Sequence, residues 1–165
     1  MQLNFENNHD TIQEYASTLP FFDNLYAAKA FYYEHREEHL KLLNEMAKEY
    51  DVLLDYSPKS LITLEELYFQ LIRNNYLFDI QITIEEFETC MSFYLCEVLV
   101  THHDGAAEWI VEEYPYADQK YVMGIRYGRF HQYFENLFPH FYLSHKDASQ
   151  QVLFKRYTRM SMKSK

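Results

Sequence analysis

Residues 93–100 restrict this chain more than any other segment. They read Phe-Tyr-Leu-Cys-Glu-Val-Leu-Val, apolar nearly all round when projected as a helix, and such a helix has to be buried on almost every side. Its start is marked by Thr83-Ile84-Glu85-Glu86, a capping box in which the Thr hydroxyl and the Glu86 carboxylate satisfy each other's orphan amides. Its end is marked by His102-His103-Asp104-Gly105. There Gly can take the left-handed cap, and imidazoles sit where the helix dipole favours positive charge.

Other helices have to surround this one. Residues 25–54 carry Phe31, Tyr32, Leu42, Leu43, Met46, Tyr50 and Leu53 on one helical face, and Glu37, Lys41, Asn44, Glu45 and Lys48 on the other. The second set, with Glu37 four residues before Lys41, reads as a solvated face. Ser57-Pro58 opens a further helix that runs to the Asn74-Asn75 break. A short helical stretch is expected at 10–17. The period then changes. Residues 108–114 and 120–127 are rich in β-branched and aromatic types around Pro115-Tyr116-Ala117-Asp118-Gln119, which predicts a hairpin. A short helix is expected over 129–138, and Asp147 should cap a last one reaching 161. One hairpin cannot stand alone in water. The fold class is therefore α+β, a mostly helical single domain over 1–165 with a small antiparallel hairpin or sheet late in the chain.

Composition excludes several roles. The chain of 165 residues has 25 acids against 15 bases, a net charge of −10. That disfavours nucleic acid as the main partner, since phosphate backbones want a basic footprint. Only three glycines are present, too few for a phosphate-cradling loop. No apolar run reaches the length of a membrane span, and the first residues lack the pattern of a signal peptide, so a cytoplasmic protein is expected, with no membrane partner. Cys90 and Cys96 on one helix lie about 9 Å apart, too far to bridge. They read as reduced, packed thiols. Charge is also uneven: residues 146–165 hold six bases and one acid. This tail is expected to dock against the acidic body; the other reading is recruitment of an anionic partner.

Three groups could carry chemistry. His35-Arg36-Glu37-Glu38-His39 matches the H-x-x-E-H pattern of inverted zinc peptidases, whose two histidines share a helix face; Glu112 or Glu113 would be the formal third ligand. Both histidines also fall within an apolar stripe, where core-edge imidazoles are ordinary, and neither a metal nor a cofactor is expected. Glu97 lies on the most apolar helix and has to be paired or protonated there. It is either an acid-base group or a structural partner for Arg126 or a Tyr hydroxyl. Trp109, the single Trp, is either core or a binding anchor, and His102 and His103 are either helix-end residues or part of a binding surface.

Ser57-Pro58-Lys59-Ser60-Leu61 with Leu64-Glu65, followed by Tyr94-Leu95-Cys96-Glu97-Val98, Gly105 and Trp109, resembles a group of small bacterial domains with a Ser-Pro-x-Ser-Leu helix start and a Tyr-Leu-Gly-Glu-Val…Gly…Trp core. The likeness covers residues 55–160, with Cys96 standing where the pattern has Gly. Some of those domains are similar to toxin-immunity proteins. The resemblance implies that Glu97 and Trp109 are pattern residues, and it brings no catalytic role with it. Joined to the 16 Tyr and 13 Phe, it favours a non-enzymatic protein that binds a basic protein partner through an acidic, Tyr-rich surface. Glu97, Trp109, His102 and His103 are the candidate binding residues, and self-association into a homo-oligomer is compatible with the same surface. The alternative is an enzyme using His35 and His39 through a metal, or Glu97 as acid-base.

Overall fold

The computed structural model describes residues 5–134 and 137–165. Its helices are α1 (Phe5–Thr18), α2 (Leu25–Glu49), α3 (Ser60–Arg73), α4 (Tyr76–Asp79), α5 (Ile84–His102), α6 (Phe141–Ser144) and α7 (Val152–Lys163). Three strands, β1 (Ala107–Glu113), β2 (Tyr121–Tyr127) and β3 (Phe130–Tyr133), form an antiparallel sheet in the order β1-β2-β3. The chain is α+β and mostly helical, as its sequence pattern predicts.

α5 is the central element. Phe87, Glu88 and Cys90–Cys96 are all buried, with Val98 and Leu99 behind them. Both halves of its capping box form: Glu86 N donates to Thr83 Oγ1 at 3.0 Å, and Thr83 N donates to the Glu86 carboxylate at 3.3 Å. Cys90 and Cys96 are free buried thiols. One face of the sheet, through Ala107, Val111, Tyr121, Met123, Ile125 and Tyr127, joins the core built on α2, α3, α5 and α7. The alternate position Val122 faces the other way, onto Ala16 of α1, Leu19 and Tyr114, as the two-residue period of a strand requires.

Three expected elements differ. Residues 129–138 were expected as a helix, but β3 occupies Phe130–Tyr133. Tyr127 pairs with Phe130, leaving Gly128-Arg129 as a two-residue hairpin loop. Gly128 at φ 59° supplies the positive φ that such loops demand. α2 ends at Glu49 rather than 54, because Asp51 turns left-handed at φ 56° and Val52 N returns to Ala47 O at 2.9 Å. Leu53, past the helix end, is consequently exposed; within α2, Leu42 is exposed too, while Asn44, expected on the solvated face, is half-buried and donates to Leu40 O and Tyr56 Oη. Asp147 caps a short 3-10 turn, Ala148–Gln150, and α7 begins only at Val152.

α7 does dock, by its apolar side. Leu153, Tyr157 and Met160 are buried, whereas Lys155, Arg159 and Lys163 stay exposed. Among the described residues the single ion pair is Arg126 with Glu108, so hydrophobic burial, and no salt bridge to a described acid, docks the tail.

Candidate functional site

A groove of about 450 Å³ opens between the end of α1, α2, α5 and the sheet, lined by Tyr15, Leu19, Phe31, His35, Phe93 and Phe134 among others. Phe93 forms its floor because α5 is apolar all round; Phe134 stacks on it at 4.1 Å between ring centroids. α2 presents Phe31, His35 and His39 at four-residue spacing along one face. His35 stacks on Phe31 at 5.8 Å and meets His39 at 4.2 Å. His39 lies 4.9 Å from Phe93, and its Nδ1 is 2.7 Å from His35 O, which makes that nitrogen the donor. Burial, reinforced by the neighbouring charge of His39, holds His35 below the usual imidazole range. Among the described residues no group of three His, Cys, Asp or Glu side chains could hold a metal ion. The formal third ligands are elsewhere: Glu112 takes a hydrogen bond from the Tyr133 phenol, and Glu113 is exposed.

Beside the groove, Glu97 accepts from Trp109 Nε1 at 2.8 Å. Neither a Tyr hydroxyl nor Arg126, the two expected structural partners, takes that place: the donor is an indole, and Arg126 pairs with Glu108, directly opposite it in the β1-β2 register. Trp109 is half-buried, with Phe93 6.0 Å away and the Arg36 guanidinium 5.5 Å over its ring. Arg36, Trp109 and Glu97 thus tie α2, β1 and α5 together. His102 and His103 have different company. His102 Nε2 lies 2.9 Å from Tyr56 O, and His103 Nε2 lies 2.7 Å from Ser161 Oγ on α7. The four nominated binding residues therefore fall in two places, with only Glu97 and Trp109 in contact.

The most deeply buried carboxylates are two that sequence reasoning passed over. Glu88 accepts from Tyr68 Oη at 2.8 Å, Phe141 N at 2.8 Å and His140 N at 3.3 Å, fastening the 137–141 segment to α5. Ser92, one turn on, accepts from Leu137 N at 2.9 Å. Glu65 on α3 accepts from Leu153 N at 3.2 Å and so caps α7 from outside it. Burial pushes the Glu65 carboxyl above its usual range. The available signal was spacing: Glu88 and Ser92 stand four apart on the apolar helix, where polar residues must be hydrogen-bonded.

The protein defined by these features is a mostly helical α+β domain with a small antiparallel sheet and an aromatic groove between sheet and helices. The sequence pattern of the family described as "Uncharacterised protein YwmA" matches residues 21–161, and the chain belongs to that family. "Uncharacterized protein YwmA" of Bacillus subtilis (strain 168) is 41% identical over 125 residues, covering 74% of this chain and 79% of that protein. The match takes in α2, which the resemblance read over 55–160 left out. No solved structure matches. No helix among the described residues is long and apolar enough to cross a membrane.

Proposed function

We propose that this chain is a non-enzymatic cytoplasmic protein that binds a basic protein partner in the aromatic groove, in the manner an immunity protein engages a toxin. The observation that carries the reading is the set of large apolar side chains left in solvent over residues 21–31, where Phe31 lines the groove and Phe21 follows its Pro20. Phe21 is 58% exposed, Tyr26 83% and Phe31 45%, all within one short span. Aromatic groups of this kind are the usual anchors of protein interfaces. A net charge of −10 gives the attraction that speeds encounter with a cationic partner. The groups an enzyme would need are engaged in structure: Glu97 with the Trp109 indole and His39 Nδ1 with a backbone carbonyl.

A photo-crosslinking residue placed at Phe21, beside the groove residue Pro20, in host cells tests this. The expected product is one predominant adduct with a basic protein, lost on Phe31→Glu and weakened by salt when reconstituted. Adducts only with a second copy of this chain, or adducts unaffected by Phe31→Glu, would overturn the reading.

A further inference from the structure

Another cavity, of about 350 Å³, is lined by Tyr127, Gln132, Arg156, Arg159, Met160 and Lys163. Three of its six lining residues are cations, in a chain whose net charge is −10. They come from one face of α7: positions 156, 159, 160 and 163 follow the three-and-four spacing that aligns side chains along a helix. Tyr127 and Gln132 come from β2 and β3.

Two of the three cations are held by contacts other than a carboxylate, while Arg159 is exposed. Arg156 donates through Nη1 to Leu137 O at 2.8 Å, and its guanidinium lies 5.3 Å over the Phe138 ring. Lys163 Nζ lies 5.0 Å over the Phe130 ring. No described carboxylate forms an ion pair with Arg156, Arg159 or Lys163. Burial pulls the Arg156 guanidinium below its ordinary value, and the like charge of Arg159 adds to the effect. The walls are clamped together as well. A Cβ at Gly128 would collide with Lys163 O, so the β2-β3 loop sits directly on the end of α7 only because that residue is glycine.

Like charges gathered with no counter-ion among the described residues, in a preformed cavity, leave an electrostatic demand that an anion would meet. Arginines offer forked donors that match phosphate oxygens, and lysine adds a point charge. The volume suits a small ligand. We propose that this cavity is a binding site for a compact phosphate-bearing anion, held by Arg156, Arg159 and Lys163 with Gln132 as a neutral hydrogen-bonding group. The site is separate from the aromatic groove and does not depend on the function proposed for it.

Titration of the full chain with inorganic pyrophosphate and, separately, with glycerol 3-phosphate, followed by amide chemical shifts, tests the proposal. Expected is saturable one-site binding with shifts centred on α7 and β3. Arg159→Ala should weaken it about tenfold or more, the loss typical of a charge-assisted hydrogen bond, while Arg126→Ala, on the far strand face, leaves it unchanged. The tighter of the two probes identifies an inorganic or an ester source. Arg159 is exposed, so its variant should fold, and the same amide spectrum checks this. Three results would overturn the site: no saturation by either probe, equal affinity in Arg159→Ala and wild type, or binding seen only to phosphatidylglycerol vesicles.

Discussion

Single residues hold this fold together at a few buried acceptors. Glu88 is fully buried and receives the Tyr68 phenol and two backbone amides. Removing the acceptor leaves three donors without partners, and each costs about 1–3 kcal/mol when buried. Glu88→Ala is therefore expected to lower unfolding free energy by about 3 kcal/mol or more, read from urea midpoints at constant slope. Glu65 behaves differently. Its carboxyl is raised by burial from its ordinary value of 4.5, so its contribution to stability is complete below that value and falls as pH rises through the folded value. Glu65→Gln keeps an oxygen acceptor for the α7 amides without the charge. It should be more stable than wild type at neutral pH and lose that advantage below pH 4.5; paired denaturation curves across that range check the crossover. Spacing on the apolar helix marks Glu88 as a group that must be hydrogen-bonded, but the partners of both carboxylates could not be read from sequence, because they include backbone amides more than fifty residues away, and amides leave no mark in residue type. Glu97 stood out for its apolar neighbours, yet its partner proved to be an indole, since the strand register hands Arg126 to Glu108.

At the scale of elements, local signals were legible and long-range ones were not. The Thr83 capping box, the Asn74-Asn75 break and the β1-β2 hairpin follow from neighbouring residues, and all three form as read. Asn75 takes a left-handed conformation at φ 57°, the kind a break of this type supplies. Thr83→Ala should cost about 1 kcal/mol, the usual worth of such a cap, and it should appear as faster amide exchange in the first turn of α5. β3 was hidden because its identity depends on a partner. Phe130-His131-Gln132-Tyr133 is short and weakly patterned, and becomes a strand only when Gly128 reverses the chain onto β2. Gly128 is accordingly the residue whose replacement should separate two elements at once. Gly128→Ala adds a Cβ against Lys163 O at a positive φ. Exchange protection should fall in both β3 and the last turn of α7, with α2 and α5 unaffected.

Over the whole molecule, charge is divided by distance along the fold. The cations of α7 face a cavity shared with Tyr127 and Gln132, while the groove that holds His35 is lined on the sheet side by Val122, Met123 and Phe134. The uneven charge was plain in the sequence. Its consequence was not, because docking of the tail through Leu153, Tyr157 and Met160 leaves the basic face outward instead of spending it on salt bridges. The groove should respond to pH through His35, whose imidazole is lowered from 6.5 by burial and by His39. The folded state thus prefers His35 neutral. The stability this gives is present above 6.5 and is lost as pH falls toward the depressed folded value. His35→Gln removes the titration while keeping a polar side chain of similar reach. Its urea midpoint should fall less than that of wild type on acidification from 7 to about 5, with the two curves parallel above 7. Affinity for a basic partner should weaken in wild type as pH passes the depressed folded value of His35, because protonation there places positive charge inside the groove and trims the negative exterior. A His35→Gln protein that loses affinity as steeply as wild type would assign the pH response to surface carboxylates and leave the groove out of the contact.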